Sequence, residues 1–161
     1  MGNFETSSNY SSTPHDWVIF RYAEILLNFA EAENEFAGAT SEVYQAIQAI
    51  RQRAGIQAGG DNSYGLDAGL TQEQMRTIIQ NERRIELAFE EHRYWDIRRW
   101  KIAEQVFSTP VNGLVIVKSG TTLNYNVAPV LTVTFNSKRY WYPIVFDEVV
   151  KNRNIVQNPE W

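Results

Sequence analysis

Hydrophobic residues recur every three or four positions in the first half of the stretch from Thr71 to Phe107. The periodic positions are Met75, Ile78, Ile79, Ile85 and Phe89. This spacing predicts the buried face of an amphipathic helix. Thr71 and Gln74 occupy the two positions of a capping box, which predicts that the helix begins there. Glu82 falls on the same apolar face, and we expect an arginine to pair with it because burying an unpaired carboxylate is costly.

Two further periodic segments precede this helix. The first is predicted to begin at Asp16, which can cap it, and to end at Gly38. Its apolar face contains Ile19, Ala23, Leu26 and Ala30, with Phe20 and Leu27 beside it. The second is predicted to begin at Thr40 or Ser41 and to end at Gly55; its stripe contains Val43, Ala46, Ile47, Ile50 and Ala54. A loop of about four residues forces two such helices to pack antiparallel. This arrangement is typical of a tetratricopeptide-like helical hairpin.

The pattern changes to that of strands after Phe107. Leu114–Val117 is a short β-prone run, and Leu131, Val133 and Phe135 alternate with threonines as in a half-buried strand. We expect residues 136–138 to turn that strand back into residues 139–142, and Phe146–Val150 to form a short helical turn. The predicted fold is therefore mainly α, with tetratricopeptide-like antiparallel helical hairpins packed on further helices and a small β-hairpin near the C-terminus.

Composition narrows the class of protein. The 161 residues are 43% hydrophobic and 21% charged, which is enough for one core, and the net charge of −4 argues against a dedicated nucleic-acid binder. The chain has no cysteine and no apolar run of membrane-spanning length. Residues 1–15 are polar and lack a periodic pattern, so we expect an extended or disordered lead-in, with one domain over residues 16–161.

Three motifs resemble those of one known family, in the expected order. The most specific is the stretch Asn81–Trp100, reading NERRIELAFEEHRYWDIRRW; the others are Arg21–Glu33 with Ala49–Gly55, and Tyr142-Pro-Ile with a tail that contains Gln157-Asn-Pro. Together they are similar to the SusD/RagB family. Two positions depart from its pattern: Glu91, where the family often has glycine, and Val145, where a second proline usually follows Pro-Ile.

The resemblance implies a function without catalysis. Members of this family are surface glycan- and nutrient-binding lipoproteins of Bacteroidetes outer membranes. They cap a SusC-like TonB-dependent transporter and deliver an oligosaccharide or another nutrient to it. Because the family's lipid anchor and most of its helical repeats are missing from the sequence, we expect the chain to be the C-terminal portion of a longer protein, or else a truncated relative. The alternative hypothesis is a helical-repeat scaffold that binds a peptide or the transporter without affinity for sugar.

The charged residues of the central stretch nearly cancel in sign. We expect them to form a structural network of ion pairs and hydrogen bonds that joins helices; its members are Glu82, Arg83, Arg84, Glu86, Arg93, Asp96, Arg98 and Arg99. A catalytic carboxylate pair at Glu82 and Glu86 is disfavoured, because neighbouring arginines would keep both acids ionised. The sequence therefore predicts no enzyme activity.

The sequence also predicts no metal or cofactor. Glu24, Glu31 and Glu35 share a helix face, but a di-iron site would need Glu-x-x-His motifs, and neither His15 nor His92 stands in one. The loop between Gln57 and Gly69 contains acidic residues without the ligand order of an EF-hand.

Aromatic residues, 13% of the chain, are the remaining candidates for ligand binding. Sugars place their apolar faces on such rings. The helical spacing of Phe89, Trp95, Trp100 and Phe107 predicts core positions, and Trp141 is expected in a strand. The candidates for glycan binding are the three tyrosines in loop-like surroundings, namely Tyr10, Tyr64 and Tyr125.

Overall fold

The computed structural model describes residues 18–161, which divide between two compact units. The N-terminal unit extends to His92, and the C-terminal unit is Arg93–Trp161. The predictions for residues 1–15, for Tyr10 and for a cap at Asp16 lie outside the described residues. Within the described part of the chain, the structure is mainly helical with one small antiparallel sheet, which confirms the predicted fold class.

From residue 18 onward, the N-terminal unit contains three helices: α1 (Tyr22–Ala37), α2 (Ser41–Arg53) and α3 (Gln72–Glu86). Helix α1 packs against both of the others. The core between them is a single cluster of buried residues: Leu27, Ala30, Val43, Ala46, Ile47, Ile50, Leu66, Met75, Ile79 and Leu87. The apolar stripe predicted for α2 is therefore buried as expected, except that Ala54 lies exposed beyond the last helical residue.

Helix α1 begins later than predicted, and its buried face is shifted from the predicted one, with Ala23 and Ala30 common to both. Residues 18–21 are not helical, and Ile19 is 87% exposed. The buried positions are Ala23, Leu27, Ala30 and Asn34. Two of these are alanines, which allow close approach of the neighbouring helices. Asn34 belongs to the face because its side-chain amide donates to the carbonyl of Gln72 (3.0 Å), while the Gln72 amide donates to the Asn34 carbonyl (2.7 Å).

The predicted capping box at the start of α3 is present. The Gln74 N–H donates to the Thr71 hydroxyl (3.2 Å), and the Thr71 N–H donates to the Gln74 side-chain oxygen (2.9 Å). The helix nevertheless ends at Glu86, earlier than its apolar pattern suggests, so that Ile85 and Phe89 are exposed. Glu91, in the turn that follows, has a φ of 66°. This left-handed conformation favours glycine and gives a physical reason for the glycine preference at this position.

We expect Thr71→Ala to lower the free energy of unfolding by about 1 kcal/mol, because one helix N–H loses its acceptor. Chemical denaturation followed by circular dichroism at 222 nm measures the loss. Thr77→Ala is the matched control, since the Thr77 hydroxyl only donates to the Glu73 carbonyl on the exposed side of the same helix. Equal losses in the two variants would contradict the role of the cap.

The C-terminal unit contains short elements. They are α4 (His92–Arg99, whose first residue belongs to the N-terminal unit), α5 (Ala103–Phe107), β1 (Val111–Ser119), β2 (Thr122–Leu131), a 3₁₀ helix (Ser137–Tyr140) and α6 (Phe146–Lys151). Helix α6 agrees with the predicted helical turn. Within residues 18–161, no helix is both long and apolar enough to cross a membrane.

The β-hairpin is not where the sequence predicted it. Strands β1 and β2 pair antiparallel from Val111 opposite Leu131 to Ser119 opposite Thr122. Gly120, with a φ of 61°, supplies the positive angle that a two-residue hairpin turn needs. The prediction of a strand over 131–135 that returns through 139–142 is wrong. The Asn136 side chain instead accepts the Lys138 N–H (3.0 Å), which starts the 3₁₀ helix at the expected turn.

Candidate functional site

A groove in the C-terminal unit combines exposed rings with cationic side chains. Its volume is about 420 Å³. The lining residues come from α4, from the turn that follows it, and from the last residue of the 3₁₀ helix and the two residues after it: Trp95, Arg98, Arg99, Lys101, Tyr140, Trp141 and Tyr142. A second depression of about 340 Å³ shares Arg98, Trp141 and Tyr142 with the first. We call the two together the aromatic groove.

The rings of the aromatic groove contact one another. The Tyr94 and Trp95 rings meet edge to face with centroids 5.0 Å apart, and Trp95 lies 6.0 Å from Tyr142. The Tyr94 and Tyr142 hydroxyls are 2.6 Å apart, and this hydrogen bond raises the pKa of Tyr142 above its ordinary value. Trp95 and Trp141 are each about half exposed. Rings that are held in place yet open to solvent are typical of a binding surface rather than of a core.

Cations lie on the faces of these rings. The Lys101 ammonium is 3.9 Å from the centre of the Trp141 ring and 4.4 Å from that of Tyr140. The Arg98 guanidinium lies 3.5 Å above the Tyr94 ring and donates to the Tyr94 carbonyl (2.8 Å). Cation–π contacts and carbonyl bonds therefore position these two side chains.

The C-terminal tail fastens the segment that carries Trp141 and Tyr142. The Gln157 amide bonds both backbone groups of Ile144, accepting from its N–H (2.7 Å) and donating to its carbonyl (2.8 Å). Asn158 donates to the Tyr142 carbonyl (2.5 Å), and the Trp161 indole N–H donates to the Trp141 carbonyl (3.2 Å). The Gln157-Asn-Pro motif of the sequence thus has a structural role in one wall of the aromatic groove.

The N-terminal unit contains a cluster of ion pairs around Glu86. Its carboxylate receives Arg21 (2.5 Å) and Arg53 (2.6 Å), and Arg21 also donates to the Glu86 carbonyl. Arg21 reaches Glu90 as well (2.8 Å), and the hydrogen bond from Arg21 lowers the pKa of the Glu90 carboxyl. The same bond raises the pKa of Arg21 further above its ordinary value. Arg21 and Glu90 therefore stay charged at neutral pH, which suits a structural role.

Two buried charges of α3 find partners on other helices. Glu82 accepts from Arg51 of α2 (3.0 Å), and Arg51 also donates to the Tyr64 carbonyl (3.0 Å). Arg83 donates to the Asn28 side chain of α1 (2.6 Å) and lies 4.0 Å from Glu31. These bonds connect α3 to α2 and to α1.

The five remaining residues of the predicted network are Arg84, Arg93, Asp96, Arg98 and Arg99. Arg84 is exposed and donates to Asn81 within its own helix (2.9 Å), which corrects the expectation that it bridges helices. Asp96 is buried in the C-terminal unit, where it pairs with Arg99 (2.9 Å). Arg93 and Arg98 belong to that unit too. The eight predicted residues therefore divide between two units, and the arginines that meet Glu82 and Glu86 include three that were not predicted: Arg21, Arg51 and Arg53.

Of the predicted ligand-binding tyrosines, Tyr64 and Tyr125 do not line the aromatic groove. Tyr64 is in the loop before α3 with a φ of 54°, and Tyr125 is an exposed residue of β2 rather than a loop residue. Conversely, the expectation that Phe89 and Trp95 are core residues is wrong, since both are exposed, and Trp141 lies outside the strands. The dense alternation of rings and cations at 94–101 and 139–142 is the signal that could have identified the groove.

Among residues 18–161, no three His, Cys, Asp or Glu side chains form a group that could hold a metal ion. His92 lies 3.6 Å from Glu24 within the N-terminal unit. Another acid of α1, Glu35, pairs with Arg76 (2.6 Å). The hydrogen bond from Arg76 lowers the pKa of the Glu35 carboxyl.

Comparison with known proteins extends the resemblance to nearly the whole chain. The family model described as the SusD family matches residues 3–161. SusD-like protein P2 of Formosa agariphila is 35% identical over 155 residues, which are 96% of this chain and 26% of that protein. SusD-like protein P25 of the same organism is 39% identical over 85 residues, which are 53% of this chain and 15% of that protein.

Solved structures agree with the sequence comparisons. The crystal structure of a SusD-like protein from Bacteroides fragilis matches with a TM-score of 0.74 at 36% identity, covering 90% of this chain and 26% of that one. The structure of a SusD homolog from Bacteroides thetaiotaomicron matches with a TM-score of 0.65 at 30% identity, covering 90% and 27%. The chain thus spans about a quarter of the length of these relatives. With the family model matched over residues 3–161 and the fold shared at 36% identity, the chain belongs to the SusD family.

Proposed function

We propose that this chain is part of a nutrient-binding protein of the SusD type, and that it binds saccharide without breaking a bond. The parent protein would lie at the cell surface as an outer-membrane lipoprotein and deliver its ligand to a SusC-like TonB-dependent transporter. Membership of the SusD family supports the nutrient-binding role. The chain would be the C-terminal portion of that protein.

The observation that carries the proposal for this chain is the aromatic groove. Trp95 and Trp141 present half-exposed indoles in a concave surface of about 420 Å³, a size found in small-molecule sites. Sugar rings pack their C–H faces on such indoles, while Tyr142 and the neighbouring cations can bond hydroxyl groups. A lining of rings and cations suits holding a ligand in place, because it offers contact area and hydrogen-bond donors.

Calorimetric titration of the 161-residue chain with a panel of neutral and acidic oligosaccharides tests this function. We expect at least one to bind, and Trp141→Ala to weaken that binding about tenfold, as truncating a tryptophan at the centre of an interface does. Tyr125→Ala is the matched control, because Tyr125 is an exposed ring outside the groove. The proposal fails if no saccharide binds, or if Trp141→Ala binds as the unchanged chain does while its circular dichroism is unaltered.

A further inference from the structure

We propose that the aromatic groove selects acidic saccharides, whose carboxylate or sulfate groups would be held by Arg98, Lys101 and Arg139. This inference rests on the proposed saccharide-binding function and adds the chemical class of the ligand. Three observations support it. They are the positive charge of the C-terminal unit, the lack of carboxylate partners for these three cations among residues 18–161, and the geometry of the groove.

The two units have opposite formal charge. The chain as a whole carries −4, but Arg93–Trp161 contains nine lysines and arginines against five aspartates and glutamates, a formal charge of +4. The residues up to His92 therefore carry −8. A cationic unit within an acidic chain raises the local concentration of anionic ligands near that unit.

Three cations of the groove are not neutralised by a protein carboxylate in the described part of the chain and can therefore bind an anionic ligand. Within residues 18–161, Arg98, Lys101 and Arg139 form no salt bridge with a carboxylate. Arg98 and Lys101 rest instead on rings, and a ring face only partly compensates a cation.

The acids of the C-terminal unit do not neutralise the groove. Asp96 is buried and pairs with Arg99, while Glu148 pairs with Lys151 (3.1 Å). Glu160 accepts the Ser137 hydroxyl (2.7 Å). Glu104 and Asp147 complete the set of acidic side chains in the unit, and neither lines the groove. An anionic group that enters the groove would thus meet cations without having to displace a protein carboxylate.

Rings and cations lie close enough to act on one ligand. Lys101 is 3.9 Å from the Trp141 ring, so a saccharide that contacts this indole has its substituents within reach of the ammonium. Arg98 lines both depressions, and Arg139 lines the second. A ligand that fits both depressions extends across the residues that they share, Arg98, Trp141 and Tyr142, and carries more than one acidic sugar. Arginine binds carboxylate and sulfate through paired N–H bonds, so both anions share the chemistry proposed here.

The test compares matched pairs of ligands by calorimetry on the 161-residue chain. One pair is tetragalacturonate and its carboxyl-reduced, neutral counterpart; the other is a sulfated carrageenan tetrasaccharide and its desulfated form. We expect the acidic member to bind at least tenfold more tightly, the scale of one hydrogen bond to a charged group. The advantage should shrink as NaCl is raised from 50 to 500 mM, because salt screens exposed charges. The pair with the larger difference identifies carboxylate or sulfate as the preferred anion.

Variants that remove one positive charge test which residues cause the preference for acidic ligands. Lys101→Gln and Arg98→Gln should each reduce binding of the acidic ligand about tenfold and leave that of its neutral counterpart unchanged. Lys118→Gln, which removes an exposed cation of β1 outside the groove, is the control and should bind as the unchanged chain does.

Several results would overturn the inference. Equal affinity for the acidic and neutral members, with a loss in Trp141→Ala, would refute acidic selection and leave the saccharide-binding function intact. Absence of binding to every saccharide refutes both proposals. Tetraglutamate binding as tightly as tetragalacturonate would show that the groove recognises charge alone, and an equal loss in Lys118→Gln would show a general charge effect instead of a site.

Discussion

Glu82→Ala is expected to lower the free energy of unfolding of the N-terminal unit by about 3–5 kcal/mol, the loss seen when one partner of a buried ion pair is removed. Glu82 and Arg51 are 3.0 Å apart, with only 10% and 14% of their side chains exposed. Removal of the carboxylate leaves a guanidinium that is desolvated and unpaired. Arg51 also holds the Tyr64 carbonyl, so the loop before α3 would lose order at the same time.

Chemical denaturation measures this loss, with circular dichroism at 222 nm as the readout of the helices. The control is Arg84→Ala, a removal of charge from the same helix. Because Arg84 is exposed and bonds only Asn81 three residues away, its loss should be within about 0.5 kcal/mol. Arg51→Ala combined with Glu82→Ala should cost less than the sum of the single changes, since neither charge is then left alone. Equal losses for Glu82→Ala and Arg84→Ala would contradict the assigned pairing.

This pair shows where sequence reasoning reaches its limit in the N-terminal unit. Periodicity placed Glu82 on the buried face of α3 and required an arginine to meet it, and both are found. The arginines nearest in the sequence, Arg83 and Arg84, point elsewhere, however. The partner is Arg51, whose long side chain reaches Glu82 from α2. A helical pattern defines which residues turn inward, but the identity of the helix opposite depends on tertiary packing.

The aromatic groove was missed for a related reason. Helical spacing made Trp95 look like a core residue, whereas only Asp96 and Ile97 of the eight residues of α4 are buried. Trp141 was assigned to a strand because aromatic residues favour strands. The groove arises only when the 3₁₀ helix and the tail bring residues 139–142 to α4, more than 40 positions away. Such a juxtaposition has no periodic signature.

Local signals with a specific hydrogen-bond pattern were more reliable than apolar runs. The capping box at Thr71 and the end of α1 at Gly38 were located correctly, because each depends on a few adjacent residues. The hairpin was misplaced because the asparagines and Pro129 in residues 111–131 interrupt the alternation that identifies strands. No hairpin turn was predicted at Gly120, where the observed hairpin turns.

Leu27→Ala is the second large effect that we expect, a loss of about 2–5 kcal/mol in the free energy of unfolding, because a buried leucine leaves a cavity when it is shortened. Leu27 is fully buried in the core cluster. It belongs to α1, which packs on both α2 and α3, so the cavity would lie in the core cluster to which all three helices contribute. The total stability of a domain is only about 5–15 kcal/mol, so this variant should melt at a clearly lower temperature.

Ile25→Ala is the control that separates the observed face of α1 from the predicted one. Ile25 is two residues away on the same helix and 40% exposed, so its truncation removes less buried area and should cost about 1 kcal/mol or less. Leu26→Ala should fall between the two, because Leu26 is half-buried at the edge of the core. The sequence pattern places Leu26 on the buried face and Leu27 beside it, and in that case Leu26→Ala would be the most damaging of the three. The order of the three losses therefore decides between the two faces, whatever their absolute size.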